Sequence, residues 1–271
     1  MCISKKFCFD NLPILFKIME SERDSLLMTN SIISLGDIAS RFPNLAAPHI
    51  SRMFAPLHHA EMSVRKNTLL VISHLILNDM IKVKEFISEI ALAVTDEKKS
   101  VRDLAKLFFQ EFSKKGKNPV YNVLPDIVSK FTHDKVEKTV FETVLKELIR
   151  YISEEKQQEN LIIKICSRFS KLKDDQHILN NVYCLTLLNY GEKCIKKLIE
   201  MSRTYKGLLG EEKVFEHFKS IVVKAKKSAI KQEVKEMILE FEKTVLAKSH
   251  LAENSEEETP KDRIDENVEN K

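Results

Sequence analysis

The chain has 271 residues and a formal net charge of +4, with 5 glycines, 7 prolines, no tryptophan and 31% charged residues. So few helix breakers among so many charges favour an all-α protein and argue against a β-sheet fold. No apolar run reaches the ~18 residues that a membrane span needs, so we expect no membrane contact. Five scattered cysteines without a CxxC spacing are typical of reduced thiols in a soluble intracellular protein and not of a disulfide scaffold.

The predicted elements form helix pairs that repeat about every 37 residues along the chain. The tripeptide SVR stands at 63–65 and again at 100–102, and each copy opens an apolar run with helical spacing. Leu27 and Val136 hold the equivalent positions in the preceding and following runs. Because a single pair cannot cover its own apolar stripe, pairs at this period are expected to stack into an α-solenoid.

Prolines and aspartates mark the ends of these helices. Pro13, Pro48 and Pro125 occur in the similar contexts LPIL, APHI and LPDI. We predict each proline early in the first helix of a pair, because the amide that proline lacks would have no hydrogen-bond partner in the first turn of a helix. Asp96 and Asp134 lie in the turns before second helices, and they are predicted to accept hydrogen bonds from the free amides there.

Five regular pairs and one weaker pair are predicted. The first and second helices of the regular pairs are 10–20 with 24–41, 44–56 with 63–78, 81–94 with 98–114, 119–131 with 135–152, and 156–170 with 174–188. The sixth, weaker pair joins 191–205 to a long final helix that begins near 211.

The prediction therefore divides the chain into three parts. Residues 1–210 form a HEAT-like α-solenoid of five to six helix pairs, 211–246 form a long basic C-terminal helix packed on it, and 247–271 form a disordered acidic tail. The last 21 residues, 251–271, hold eight acidic and three basic residues, or −5, which leaves +9 in 1–250. The tail has too few apolar residues to offset the entropy of ordering it.

No motif for catalysis or cofactor binding rises above background. The glycines form neither GxGxxG nor a P-loop, and no HExxH or GxSxG occurs. His58 and His59 are adjacent, so on a helix they would point apart and chelate a metal poorly. Cys166 and Cys184 fall in apolar runs and are expected to be buried. We expect a protein that is not an enzyme, without a catalytic, cofactor-binding or metal site and without a small-molecule substrate.

Basic residues offer the only candidate contacts to a polyanion. Arg65 and Arg102 recur in register, and such arginines pair more often with an acid of a neighbouring repeat than with phosphate. Lysines that do not recur in register are better candidates, because clustered lysines bind nucleic acid without sequence choice. A solvated helix face is the equally open alternative. The candidate DNA or polyanion contacts are Lys82, Lys84, Lys114, Lys115, Lys117, Lys219, Lys224, Lys226 and Lys227.

Two positions in the acidic tail are candidate phosphorylation sites. Ser255 precedes three glutamates and fits an acid-directed kinase, whereas Thr259 precedes Pro260 and fits a proline-directed one. A phosphate at either position would add about −2 to the tail.

Three stretches resemble a known family in order and spacing. The sequence carries GDIASRFPNL at 36–45, VRK at 64–66 followed by HLILNDMIKVK at 74–84, and YNVLPDI at 121–127. These motifs resemble the C-terminal HEAT domain of condensin complex subunit 1, the large D-type non-SMC subunit of condensin, over about 30–170. The condensin II counterpart and the cohesin-associated HEAT proteins are more distant matches.

The resemblance implies a non-catalytic scaffold that contacts the SMC ATPase pair, the kleisin subunit and, without sequence choice, DNA or chromatin. It also implies a role in mitotic chromosome condensation and a location in the nucleus and on chromosomes, with part of the cell cycle spent in the cytoplasm. The alternative is a generic HEAT-repeat adaptor that binds protein and makes no DNA contact. Salt-dependent binding of DNA by residues 1–250 would separate the two.

Overall fold

The computed structural model describes residues 4–21, 24–81, 86–229 and 231–256, and the side chains of these residues as far as 246. Across these ranges the secondary structure is helical, without a β-strand, which confirms the all-α prediction. None of the helices described is both long and apolar enough to cross a membrane.

The second helices of the five regular pairs match the prediction to within three residues at each end. Of the predicted first helices, 81–94 is α-helical only over Ile87–Leu92 among its described residues, and 191–205 is divided into Glu192–Glu200 and Ser202–Tyr205. In chain order the α-helices are α1 (Lys5–Ser21), α2 (Ser25–Arg41), α3 (Pro43–Ala46), α4 (Ile50–Phe54), α5 (Met62–Leu77), α6 (Ile87–Leu92), α7 (Lys99–Ser113), α8 (Val120–His133), α9 (Lys138–Ile149), α10 (Glu155–Phe169), α11 (Asp175–Thr186), α12 (Glu192–Glu200), α13 (Ser202–Tyr205), α14 (Glu212–Ser228) and α15 (Gln232–Glu256). Short 3₁₀ turns lie at Ala47–His49, Ala55–His58, Ala93–Thr95 and Lys206–Gly210.

The chain divides into two compact units, residues 1–161 and 162–271. In the first unit the second helices of successive pairs stack in chain order, α2 on α5 and α5 on α7. The repeat anchors Val64 and Val101 are both buried there. The stacked pairs confirm the HEAT-like solenoid, because each pair covers the apolar stripe of the next.

Helices α2 and α5 approach closely at a glycine. A methyl group added at Gly36 would lie 2.5 Å from Cγ1 of Val71, closer than van der Waals contact allows. The close packing of α2 on α5 therefore depends on the absence of a side chain at position 36.

The predicted positions of the prolines are corrected by the structure. Pro13 and Pro125 lie inside α1 and α8, not in their first turns. α1 begins at Lys5, five residues before the predicted start at 10, and Cys8 in the added segment is buried. α8 begins at Val120, within one residue of its predicted start, so Pro125 is the sixth residue of the helix. Pro48 lies in the 3₁₀ turn between α3 and α4, so the predicted helix 44–56 is broken into short segments.

The C-terminal part is also corrected. The single helix predicted at 211–246 is two helices, α14 and α15, which pack against each other. Reversal of the chain brings the rings of Phe218 and Phe241 to a centroid distance of 6.5 Å, so that both buried faces are covered. α15 continues to Glu256, past the predicted start of the tail at 247, and residues 257–271 lie outside the described residues.

Candidate interaction surfaces

The turns before α5 and α7 are built in the same way. His59 Nδ1 accepts a hydrogen bond from the amide of Glu61 at 3.0 Å, and Asp96 Oδ1 accepts one from the amide of Lys98 at 2.8 Å. Asp24 does the same for the amide of Leu26 at 2.8 Å before α2. Asp24 caps α2, because Leu26 belongs to the first turn of that helix. Glu61 and Lys98 stand one residue before α5 and α7, so the bonds of His59 and Asp96 fix the preceding turns and do not cap the helices.

The predicted cap at Asp134 is wrong. Its carboxylate instead contacts Lys130 and His133, each at 3.0 Å. The following helix α9 begins at Lys138, four residues beyond Asp134, where the side chain does not reach its first amides.

Arg65 joins two successive repeats and is not available to a phosphate. Its guanidinium makes a bidentate contact with Asp96 of the next turn, at 2.7 and 2.9 Å, and reaches Glu97 at 3.2 Å. It also donates to the carbonyl oxygens of His59 and Ala60 at 2.8 and 2.7 Å. The predicted pairing of Arg65 with an acid of a neighbouring repeat is therefore confirmed.

The Arg65–Asp96 pair is largely shielded from solvent, with side chains 8% and 10% exposed. Burial raises the pKa of the Asp96 carboxyl, but hydrogen bonds from Arg65 and from the Lys98 amide outweigh it, so the pKa lies below the ordinary value. The bidentate geometry and the shielding make this pair a fixed joint between repeats.

Arg102 keeps only half of this arrangement. Its Nη1 donates to the carbonyl oxygens of Asp96 and Glu97 at 2.6 and 2.9 Å, just as Arg65 does to its own turn. Its counterpart acid one repeat on would be Asp134, which is occupied by Lys130 and His133. The joint between the second and third repeats thus differs from the one between the third and fourth.

Two of the candidate DNA lysines close the ends of helices. Lys115 Nζ donates to the carbonyl oxygens of Ile76 and Leu77 at 3.2 and 2.8 Å, at the C-terminus of α5, and pairs with Asp79 at 2.6 Å. Lysine at this position satisfies carbonyls that lack a helical partner and complements the helix dipole.

Lys224 does the same in the second unit. Its Nζ donates to the carbonyl oxygens of Thr186 and Leu187 at 3.2 and 3.1 Å, at the C-terminus of α11. Burial lowers the pKa of its ammonium group. Each lysine lies 37 to 39 residues, or about one repeat, after the carbonyls that it contacts. A lysine one repeat after the end of a second helix is therefore the sequence pattern that could have predicted these caps.

The remaining candidate lysines are more exposed. Lys114 pairs with Glu111 at 2.6 Å, Lys219 with Glu216 at 2.9 Å and Lys226 with Glu242 at 2.6 Å, all at the surface. Lys117 and Lys227 are exposed side chains. Lys114, Lys115 and Lys117 belong to the first unit, and the four candidate lysines of α14 belong to the second.

Four candidate residues are not placed by the structure. Lys82, Lys84 and Thr259 lie outside the described residues, as does the side chain of Ser255, whose backbone belongs to α15. The DNA-contact and phosphorylation assignments stay predictions.

The cysteines of the second unit are buried thiols. Burial raises the pKa of Cys166 and Cys184 to about 12 each. Both are therefore protonated at neutral pH and poor nucleophiles. Among the described residues no group of three or more His, Cys, Asp or Glu side chains could hold a metal ion.

The stacked helix pairs and their repeat joints define an α-solenoid protein of the HEAT class. The family model described as non-SMC mitotic condensation complex subunit 1 matches residues 26–186, which run from α2 to α11. The chain belongs to this family.

Relatives of the family agree over most of the chain. "Condensin-1 complex subunit CAP-D2" of Arabidopsis thaliana is 46% identical over 96% of the chain. "Condensin complex subunit 1" is 38% identical over 89% in Xenopus laevis and 37% identical over 90% in Homo sapiens. The chain spans 18% of the length of each of these relatives.

Among solved structures, a designed armadillo repeat protein in complex with the peptide (KR)4 is 15% identical, with a TM-score of 0.37. The match covers 88% of this chain and 98% of the designed one. An engineered protein gives a TM-score of 0.33 at 11% identity, over 86% of this chain and 67% of that one.

Proposed function

We propose that the chain is a non-catalytic HEAT scaffold of the condensin type that contributes to mitotic chromosome condensation through protein and DNA or chromatin contacts. The observation that carries the proposal is the family match over 26–186, which coincides with successive helix pairs of the solenoid. Stacked pairs present long surfaces whose spacing is fixed by the repeat, and such surfaces suit the binding of other proteins.

The partners proposed for the chain are the SMC ATPase pair and the kleisin subunit of condensin. The support is the naming of the relatives in Arabidopsis, Xenopus and human as condensin complex subunits. The corresponding location is the nucleus and chromosomes, with part of the cell cycle in the cytoplasm. A pull-down of the tagged full chain with the purified SMC pair and kleisin tests the assignment, and recovery of neither partner would contradict it.

The DNA contact is proposed for the basic face of α14. Residues 1–250 carry +9 against −5 in 251–271. Since Lys115 and Lys224 are engaged as helix caps, the exposed Lys219, Lys226 and Lys227 are the candidates that remain on this helix. Surface ion pairs such as Lys226–Glu242 are weak enough to be replaced by phosphate contacts.

The acidic tail is proposed to oppose this contact. A segment of charge −5 competes with duplex DNA for the same lysines, and a phosphate at Ser255 or Thr259 adds about −2. Deletion of 251–271 is therefore expected to strengthen DNA binding, and phosphorylation is expected to weaken it.

Fluorescence anisotropy with a short labelled duplex tests the DNA contact. Replacing Lys219, Lys226 and Lys227 with Ala is expected to lower both the affinity and its dependence on salt, because fewer counterions are released. The control replaces three exposed lysines of the first unit, Lys66, Lys99 and Lys138, with Ala, which removes the same charge. Equal losses of DNA affinity in both variants would show that net charge determines binding and that α14 makes no particular contact.

A generic adaptor that makes no DNA contact is the second candidate. It is favoured by the use of Lys115 and Lys224 as helix caps, which engages two of the nine candidate lysines in contacts within the protein. If the protein lacking 251–271 binds no duplex even at low salt, the adaptor explains the chain better.

A further inference from the structure

Three exposed apolar side chains recur at the repeat period on the stacked second helices of the first unit. Ile33 on α2, Leu70 on α5 and Leu107 on α7 are 42%, 43% and 51% exposed. They are 37 residues apart, the same interval that separates Leu27, Val64 and Val101. Of these three positions, Val64 and Val101 are buried, whereas Leu27 is 48% exposed. A single exposed leucine is ordinary, but three in register form a continuous feature, here named the apolar row.

Stacking places these side chains side by side. α2 contacts α5, and α5 contacts α7, so equivalent positions lie on neighbouring helices. Axes of packed helices are about 8–10 Å apart, so the row crosses the helices in steps of about that length. It ends at α9, where the equivalent position is Glu142, which contacts Lys138 and Lys146 at 3.9 and 3.3 Å.

The two edges of the apolar row differ in chemistry. One turn after each row residue stand Asp37, His74 and Glu111, so one edge is mainly acidic, although Glu111 also pairs with Lys114 at 2.6 Å. On the other edge Asn30 and Asn67 stand three residues before Ile33 and Leu70, and the amide nitrogen of Asn67 donates to the Ser63 carbonyl oxygen at 2.8 Å. Asparagine amides both donate and accept hydrogen bonds, as does a peptide backbone that is not folded into a helix or sheet.

An extended chain fits this pattern better than a helix. A polyproline II segment presents every third side chain on one face, about 9 Å apart, and its backbone groups are free to bond. A helix would match the spacing at i and i+7, but it would offer the asparagine edge no free backbone groups. The acidic edge favours basic residues between the apolar ones.

We propose that the apolar row is the docking site for an extended protein segment with an apolar side chain at every third position and basic residues between them. The proposal rests on the scaffold function and names the chemistry of one partner segment. The occupant is a protein strand and not nucleic acid, because the row is apolar and one edge is acidic.

Binding of a labelled peptide to the full chain tests the proposal. The probe is a peptide with three Leu-Pro-Lys repeats, and the control peptide has Ser in place of each Leu. The probe is expected to bind, and the control is expected to bind at least about tenfold more weakly, because burying each leucine gains on the order of a factor of ten. Equal binding of both peptides, or no binding of the probe, overturns the proposal.

Matched variants locate the contact on the protein. Leu70→Gln, at the centre of the row, is expected to weaken binding of the probe about tenfold, and Asp37→Asn with Glu111→Gln is expected to weaken it less. The control is Ile14→Gln on α1, which replaces a side chain that is 56% exposed and lies off the row. Equal affinity of wild type and Leu70→Gln contradicts the assignment.

The peptide experiment and the condensin pull-down can fail independently of each other. If the chain recovers condensin partners but not the peptide, only the apolar row is overturned. If it binds the peptide at the row but recovers no condensin partner, the row stands and the condensin assignment falls.

Discussion

The two units of the chain differ in the polar contacts that connect successive repeats. In the first unit these contacts include side-chain pairs, such as Arg65 with Asp96 and the buried Asn118 with Gln157 at 2.8 Å. In the second unit Lys224 caps the C-terminus of α11. Ring pairs lie in both units, such as Phe108 with Phe112 in the first and Tyr205 with Phe218 in the second, at centroid distances of 5.4 and 4.6 Å. Directional joints fix the register of a repeat, whereas apolar packing tolerates a change of helix length and direction.

The largest expected effect is on the ring core of the second unit. Phe218 is fully buried, so Phe218→Ala removes its contacts with Tyr205 and leaves a cavity. We expect a loss of about 3–5 kcal/mol in the free energy of unfolding, measured by urea denaturation. Val223→Ala on the same helix, where the side chain is 51% exposed, is the control and should cost well under ~1 kcal/mol. Similar midpoints for both variants would contradict the ring core.

The polar joint of the first unit gives the next largest effect. Asp96→Ala leaves the shielded Arg65 guanidinium without its bidentate partner, and we expect a loss of about 3 kcal/mol. Glu97→Ala, which removes a single contact at 3.2 Å to an exposed carboxylate, is the control. If the two substitutions cost the same, the joint is not specific to Asp96.

The same joint predicts a dependence on pH. The folded-state pKa of Asp96 lies below its ordinary value of 3.8, so its ionised form stabilises the fold above that value. As the pH falls below 3.8 and through the lowered pKa, this contribution is lost. The difference in unfolding free energy between wild type and Asp96→Asn should therefore be full at pH 6 and shrink below pH 3.8. If the difference in unfolding free energy instead grows as the pH falls, the pKa of Asp96 is not lowered in the folded state.

A substitution at the contact between α2 and α5 is expected to reduce stability less, and a second substitution should partly restore it. Gly36→Ala places a methyl group against Val71, and we expect a cost of about 1–3 kcal/mol. Val71→Ala removes the obstructing methyl groups, so the double variant should lose less than the sum of the two single losses. Additive losses in thermal unfolding would show that the two side chains do not meet.

The smallest expected effect is at the lysine caps. Lys115→Met and Lys224→Met each remove two hydrogen bonds to helix carbonyls and should cost about 1 kcal/mol. Lys117→Met, at an exposed position two residues from Lys115, is the control and should change stability by less than ~0.5 kcal/mol. Equal changes in stability for Lys115→Met and Lys117→Met would show that Lys115 does not stabilise the end of α5.

The sequence predicted the first unit better than the second for a physical reason. Val64 and Val101 recur with the period, so the starts of α5 and α7 are predicted to within one residue. The reversal between α14 and α15 has no glycine or proline at 229–231 to mark it. It arises because Phe218 and Phe241 gain more from packing on each other than a continuous helix would allow.

The interaction surfaces were predictable only in part. The pairing of Arg65 with an acid of the next repeat follows from its recurrence in register. The capping roles of Lys115 and Lys224 depend on which carbonyls stacking brings near them, one repeat away. The apolar row also emerges only from burial, because Ile33, Leu70 and Leu107 belong to the same apolar runs as the core.

Assembly with purified condensin subunits tests the central claim most directly. The full chain is mixed with the SMC ATPase pair and the kleisin, and the masses of the eluting species are measured by light scattering after size exclusion. The condensin scaffold assignment predicts one species whose mass includes the chain. Elution of the chain by itself, while the SMC pair and the kleisin elute together, would contradict the assignment.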